Sequence, residues 1–468
     1  METKEKYDLI IVGSGLSGLL LANKLCKTHK ILIISKGEIN NSKISGGEIC
    51  TRGLQQKSLF SSIFISGDSM SDLNLLKIFL DNLEKNITDF SLEYGIKASF
   101  LGGNINIGIV LQSIRKILID SKNVDFLDSE VFKICKNRYS YLGVIIKDKE
   151  EFIFKSSKAL AITSGGFGNI FGFNDNIDND YLSNMAGICI ESGIRMRNLE
   201  FLMFHPFGEK LNGLNNLSGK IVKTDFLAGK EVKNKDGKNI PDLEYILNSH
   251  NAHQSFSEIL KVFEKNKELT IDNKRYDPIV HYTIGGIDVN KDLETNIKGI
   301  YTVGEASIGV SGASRIGGIA LSEIIVFSEI ISKKIDDFLI TKKEILFDYK
   351  DEFNIDLVKV RNTKKEVQKM LTYDLLYGGN VYEYKIILGK IEKLYDCSYK
   401  IIAIALLKSM IMRKESRGSF YRQDFRNKSF FTYNTVLIYK NGKINTKRKY
   451  INNLIRFKYY IYKKFFHF

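Results

Sequence analysis

The 468-residue chain has no tryptophan and only three prolines. Both shortages accompany a richness in Lys, Ile and Asn and read as compositional bias more than as a functional signature. No apolar run approaches the ~18 residues that a membrane-spanning helix requires. The most apolar segment, "IIAIALLKSMIM" at 401–412, is short and carries Lys408. No apolar core precedes the first strand, so no secretory signal is expected. Cysteine is sparse too: Cys26, Cys50, Cys135, Cys189 and Cys397 are scattered, with neither CxxC nor ligand-like spacing. That argues against a metal site and predicts buried free thiols in a reducing, cytoplasmic setting. Acid is missing from one place: residues 437–468 hold nine Lys or Arg and neither Asp nor Glu.

What is present describes a folded protein. The chain is 44% hydrophobic and 26% charged, and its length calls for two or three structural units. The formal net charge of +15 draws heavily on the final stretch, where "RFKYYIYKKFFHF" interleaves basic and aromatic residues. Such a tail could meet nucleic acid or an acidic membrane surface. The plainer reading is a solvated, partly frayed C-terminal helix, so nucleic-acid binding is not expected.

The strongest local signal comes early. "DLIIV" has the unbroken apolar, β-branched run of a parallel strand buried on both faces. Gly13, Gly15 and Gly18 follow at G-x-G-x-x-G spacing, with Ser14 between the first two. The first glycine permits a tight turn, the second lets backbone approach a pyrophosphate, and the third lets the helix lie close to the strand. The helix "LSGLLLANKLCKTH" offers its N-terminal amides to that anion, and "KILIIS" completes a βαβ unit. The cofactor is not fixed by this cradle alone. The second strand ends in Ser35 and Lys36 instead of the usual ribose-gripping acid, with Glu38 slightly late, and Lys36 hints at a 2′-phosphate.

Later stretches decide between cofactors. "KALAITSGGFGNIF" at 158–171 ends a strand at Thr163 and follows it with Gly165 and Gly166. "TNIKGIYTVGE" at 295–305 reads as turn, short strand and Gly304-Glu305. These resemble the second and the late dinucleotide-binding motifs of two-domain flavoproteins, in which the late carboxylate bonds the ribityl chain. A simple nicotinamide enzyme needs neither, so the cradle is expected to hold FAD.

Five further blocks narrow the resemblance: "NLEFLMFHPFGEK" with His205, "DPIVHYTIGGIDV" with His281, "GASRIGGIALSEIIVF" with Arg315, "KKEVQKMLTYDLLYGGN" at 364–380 and "RKESRGSFYRQDF" at 413–425. In this order they resemble the succinate dehydrogenase, fumarate reductase and L-aspartate oxidase flavoprotein superfamily, over residues 7 to 425. The resemblance implies an α/β fold: a Rossmann-like FAD domain with two dinucleotide-binding motifs, an inserted small α+β capping domain and a C-terminal helical domain. The expected boundaries are 1–203 and 283–345 for the FAD domain, 204–282 for a reduced cap, 346–430 for the helical domain and 431–468 for the basic aromatic tail. The L-aspartate oxidase branch fits best, since "SKG" ends the second strand. The covalent flavin histidine of succinate dehydrogenases is absent from "NNSKISGGEI", which implies non-covalent FAD. Ser45, Gly46 and Gly47 match the flavin-ring loop, and Ile319, Ala320 and Leu321 begin the helix expected beneath the flavin's pyrimidine edge.

By this resemblance His205, His281 and Arg315 converge on a C4 dicarboxylate. Arg315 meets one carboxylate bidentately and the histidines donate to the other. L-Aspartate then loses hydride to the flavin and becomes iminoaspartate, with oxygen or fumarate reoxidising the cofactor. The product feeds NAD synthesis through quinolinate, which implies a functional link to a quinolinate synthase. The alternatives are a soluble fumarate reductase or succinate-type dehydrogenase, and a flavin-binding protein with decayed activity. Departures from the family pattern cluster around charge. No Arg lies between Arg197 and Arg275, Ala228 stands where the family has Arg, and "LGGNINIGI" at 101–109 lacks the family's His and Arg. His250 and His253 are read as surface residues.

Overall fold

Leu9, Ile10 and Ile11 are each fully shielded from solvent, as a strand covered on both faces requires. In the computed structural model, Lys6–Val12 is that strand. The structure describes residues 6–37, 41–45, 47–50, 56–96, 103–136, 142–174, 180–209, 220–221, 232–234, 238, 269–271, 274–342 and 352–451. Helix Leu16–Leu25 follows the first strand, and Ile31–Ser35 returns parallel to it, with Leu9 opposite Ile31 and Val12 opposite Ile34. This is the expected βαβ unit.

The sheet extends to seven strands. Val124–Asp128 pairs outside Ile31–Ser35, and the long strand Glu151–Ile162 lies parallel on the other side of Lys6–Val12. The first part of Glu151–Ile162 pairs antiparallel with Leu142–Asp148, which pairs in turn with Val131–Lys136. Its last residues instead take Ile300–Thr302 as a parallel neighbour, Leu160 opposite Ile300 and Ile162 opposite Thr302. The strands carrying "DLIIV", "ALAIT" and "GIYT" therefore stand side by side and end together. Ligands of open parallel sheets bind beyond such carboxyl ends.

Within the region expected as a cap, the described residues include a five-stranded antiparallel sheet. Its central pair is Leu202–Glu209 and Lys274–Thr283. His250, His253 and Ala228 lie outside the described residues. Helices Leu357–Met370, Tyr373–Leu376, Val381–Ile391 and Ser398–Met412 follow the long helix Ile319–Thr341. No helix among the described residues is long and apolar enough to cross a membrane. Lys408, the cation within the apolar segment, reaches out of it to donate to the Ile444 carbonyl at 3.0 Å. All five cysteines are free, and all but Cys50 are buried.

The stretch expected as a basic tail from 431 is organised differently. Tyr433–Lys440 and Lys443–Tyr450 form a β-hairpin, and its first strand pairs with Met196–Arg197. The first strand is buried from Tyr433 to Leu437, the second exposes Lys443, Lys447 and Lys449, and the turn between them places Asn441 and Gly442 in left-handed backbone conformation. That pattern satisfies a half-covered hairpin and leaves no helix there. The remaining basic residues, 452–468, lie outside the described part.

The "ESRG" block anchors this region. Arg413 is fully buried and donates to Glu200, to Glu415 Oε1 at 2.7 Å, to Asn198 Oδ1 at 3.3 Å and to the Tyr433 carbonyl at 3.2 Å. Glu415 also receives Arg417 Nε at 3.0 Å, and Arg422 grips Asp424 through two 2.6 Å hydrogen bonds. The two carboxylates hold Arg413's pKa above its ordinary value even though burial opposes the charge. Removing the cation would leave buried Glu200 with only the Thr435 hydroxyl, and Glu415 with Arg417 and the Ser429 amide. Arg413→Met is therefore expected to cost about 3–5 kcal/mol. In thermal denaturation of the purified protein this should lower the midpoint on the order of 5 °C or more; an unchanged midpoint would show the ladder to be dispensable.

Candidate active site

The glycines of the separate motifs touch one another's elements. A Cβ at Gly13, whose φ is +112°, would strike the Thr163 carbonyl, and one at Gly18 would strike the Gly13 carbonyl. Thr163 bonds into the same turn, its hydroxyl donating to the carbonyls of Val12 and Gly13 at 3.0 Å each. Gly304 stands next to Ser17 of the first helix, and a Cβ there would lie 3.3 Å from the Ser17 hydroxyl. A Cβ at Gly166 would overlap both the Thr283 hydroxyl and the Glu305 carboxylate. "GSG", "TSGG", "HYT" and "GE", far apart in the chain, thus meet at one place.

The cradle has the character of an anion seat. Helix Leu16–Leu25 has no side-chain cap from Gly15, and the Leu16 amide donates to Ser42 Oγ at 3.2 Å. That hydroxyl is also the one atom a Cβ at Gly15 would meet within 4 Å, at 3.2 Å, so no backbone crowds the face of Gly15. Uncapped amides at the start of a helix favour a phosphate. Ser14 donates to Ser35 at 2.9 Å, tying the turn to the second strand. Lys36 has protein partners: its ammonium meets Glu130 Oε1 at 2.9 Å and the Asp180 carbonyl at 3.0 Å. Ser45 donates to the Ser42 carbonyl at 2.9 Å, and the Ile105 amide donates to the Gly47 carbonyl at 2.8 Å. Gly46 lies outside the described residues. Gly165 is in left-handed conformation with open space around it.

Glu305 and the long helix complete the seat. Glu305 Oε1 accepts the Thr283 amide at 2.9 Å and the Thr283 hydroxyl at 3.1 Å. Helix Ile319–Thr341 begins at Gly318, φ +75°, with no side-chain cap, so the amides of Ile319, Ala320 and Leu321 point out of its positive end. Such an end suits the electron-rich edge of a flavin. Gly15 with only the Ser42 hydroxyl near it, the uncapped start of the long helix and the partly exposed Glu305 fit FAD.

His205 and His281 sit on neighbouring strands. Phe204 opposes Val280 and Met203 opposes Tyr282, so His281 is the extra residue of a β-bulge. A bulge breaks strict alternation and re-aims a side chain. The two imidazole rings come within 6.2 Å, centroid to centroid, inclined at 75°. His205 is buried and His281 partly exposed. Arg315 is 8% exposed; its guanidinium carbon lies 4.4 Å over the Tyr282 ring, one residue beyond His281. Its Nε has no hydrogen-bond partner, and no described carboxylate comes within ion-pair distance of it. A buried, uncompensated guanidinium costs stability unless an anion meets it.

Two residues escape a motif reading. Tyr282 supplies the aromatic face under Arg315; its own place inside "HYT" was the available signal. Glu323, four residues into the long helix, is buried and accepts the Val310 amide at 3.2 Å. Burial raises its pKa to about 7, with the Val310 hydrogen bond and Arg315 opposing. An acid on the buried face of an apolar helix is a sequence signal in itself.

Cradle and fold can be separated by mutation. Gly13→Ala places a Cβ against backbone at positive φ and is expected to impair folding. Gly15→Ala should leave the fold intact while obstructing the pyrophosphate. FAD affinity, read from bound flavin absorbance, should fall about tenfold or more. Full flavin retention in Gly15→Ala would refute the assignment of the seat.

Comparisons with known proteins bear on the fold and the cofactor. A family described as FAD binding domain matches residues 250–321. The L-aspartate oxidase of Saccharolobus solfataricus is 25% identical over 470 residues, covering 90% of this chain and 97% of that protein. That of Clostridium perfringens is 24% identical, covering 77% of this chain and 93% of the relative. A quinol fumarate reductase flavoprotein of E. coli shares the fold at a TM-score of 0.74 and 17% identity, over 95% of this chain and 96% of that one. With its motifs in order, a seat that fits FAD and relatives that cover most of its length, the chain is an FAD-dependent oxidoreductase that resembles the L-aspartate oxidases in sequence and shares the fumarate reductase flavoprotein fold.

Proposed function

We propose that the protein oxidises L-aspartate to iminoaspartate, using non-covalent FAD, with oxygen or fumarate as the final acceptor. The observation that carries this reading is the pairing of an unpartnered buried guanidinium, Arg315, with two histidines on a bulged strand pair. Arg315 takes one carboxylate through two parallel N–H donors, held flat by Tyr282. His205 and His281 donate to the other carboxylate, so the carbon between them is fixed in one orientation. When bound, FAD supplies the two-electron acceptor. The substrate gives up the Cα hydrogen with both C–H electrons and one N–H proton, and a C=N bond forms. The amides at the start of helix Ile319–Thr341 stabilise negative charge at the site. Burial around Arg315 excludes water and strengthens the charge contacts.

The absence of Arg between 197 and 275 favours oxidation over fumarate reduction. Reducing a C=C bond calls for a proton donor beside the carbon, which the family supplies with a cap arginine. Amine oxidation releases protons instead. Such a product would pass to a quinolinate synthase in NAD assembly, in a cytoplasmic setting.

Anaerobic addition of L-aspartate to the yellow holoprotein is expected to bleach the flavin, and succinate is expected not to. Bleaching by succinate alone would replace this reading with a dehydrogenase, and bleaching by neither would mark decayed catalysis. Acid precipitation should leave all flavin in the supernatant. Arg315→Met should raise KM for L-aspartate about a hundredfold or more, equivalent to a few kcal/mol, while flavin content stays unchanged. An unaltered KM would remove Arg315 from the substrate site.

A further inference from the structure

The loop from Glu305 to Arg315 turns back under the long helix, and Glu323 is what it turns around. The Val310 amide donates to Glu323 Oε1 at 3.2 Å. Gly309 lies against the same carboxylate so tightly that a Cβ there would overlap it. Glu323 is 6% exposed and forms no ion pair with a described cation, although Arg315 lies within its electrostatic reach. Tyr282, which stacks on Arg315, feels Glu323, Glu305 and Arg315 together. One buried acid thus anchors the loop that carries the substrate cation and sits behind that cation.

We propose that Glu323 is a positioning residue of the anion seat: it fixes the Arg315 loop through Val310, and its proton governs how much of Arg315's charge a bound carboxylate receives. The inference rests on the dicarboxylate reading of the site. Burial holds the Glu323 carboxyl at about 7, against the Val310 hydrogen bond and Arg315, so it changes charge around neutral pH. Protonated, it leaves Arg315 uncompensated and the seat attracts anions. Ionised, it neutralises part of that charge and weakens them. By reciprocity, an anion arriving at Arg315 raises the proton affinity of Glu323 and draws a proton onto it. Among the described residues, the other titratable groups near the seat include Tyr282, Glu305, His205 and His281, and Asp72 and Arg197 line a pocket with Ile308, Gly309 and Gly312. The comparison must therefore be made against a variant that changes Glu323 alone.

The probe is malonate, which carries a carboxylate at each end and has no adjacent pair of C–H bonds to dehydrogenate. Its Kd for the FAD-loaded protein, measured by calorimetry, is expected to rise about tenfold from about pH 6 to about pH 8. Glu323→Gln keeps an acceptor for Val310 but no charge. Its Kd should rise less and should be tighter than wild type at about pH 8, whereas a purely structural role would weaken binding at every pH. Glu323→Asp should restore the steeper rise. In the unaltered protein near neutral pH, malonate should increase the infrared band of a protonated carboxyl. Equal slopes for wild type and Glu323→Gln, or no change in that band, overturn the positioning role and leave the dicarboxylate reading intact. Absence of malonate binding at any pH overturns both.

Discussion

The closeness of the Gly13 turn to Thr163 is the constraint on which the site depends. With no Cβ at Gly13 or Gly18, the first helix settles against the ends of two parallel strands, and the Thr163 hydroxyl locks the turn from the neighbouring strand. Three strand ends, Val12, Ile162 and Thr302, then share one edge. Every other part of the seat is measured from that edge: Gly304 against the first helix, Gly166 against Thr283 and Glu305, and the start of the long helix opposite. A few atoms of missing side chain decide where a large cofactor can lie.

Charge follows a different logic in the two halves of the site. Around "ESRG" every buried cation is matched: Arg413 by Glu200 and Glu415, Arg417 by Glu415, and Arg422 by Asp424. These residues hold the helices and the hairpin to the strand Met196–Arg197. Around Arg315 the matching is withheld, and an aromatic face and a distant acid take its place. Buried ionic ladders specify arrangement at some cost in stability; a buried cation left unmatched is a place prepared for something else.

Much of this was legible in the residues, for physical reasons. "DLIIV", "ALAIT" and "GIYT" are local patterns in which apolar β-branched runs and glycine spacing determine both element and neighbour. Arg315 and the paired histidines were legible only through their blocks, because no periodicity tells that distant loops converge. Other features could not be read locally. The bulge at His281 arises from cross-strand register, which one strand does not encode by itself. The ion pair of Lys36 with Glu130, 94 residues on, likewise joins residues that no local pattern connects. The basic stretch after 431 looked like a tail because charge dominates its composition, whereas the apolar run Val436–Leu437–Ile438 and the turn at Asn441-Gly442 serve a hairpin. Glu323, a lone acid in an apolar helix, signals a buried charge in the sequence but not the loop at Val310 that it holds.

The pairing of Val436 with Arg197 and of Leu437 with Met196 has a consequence for how the protein is made. Met196–Arg197 and its other neighbour, Gly286–Ile287, are synthesised long before their third strand leaves the ribosome. Until then the sheet beside Asn198 and Glu200 has an open edge, and both polar side chains await partners from residues 413–435. Assembly of the interior beneath the active site is therefore a late event in the life of the nascent chain, and the exposed edge is the point at which a helper protein or a misfolding neighbour would first gain access.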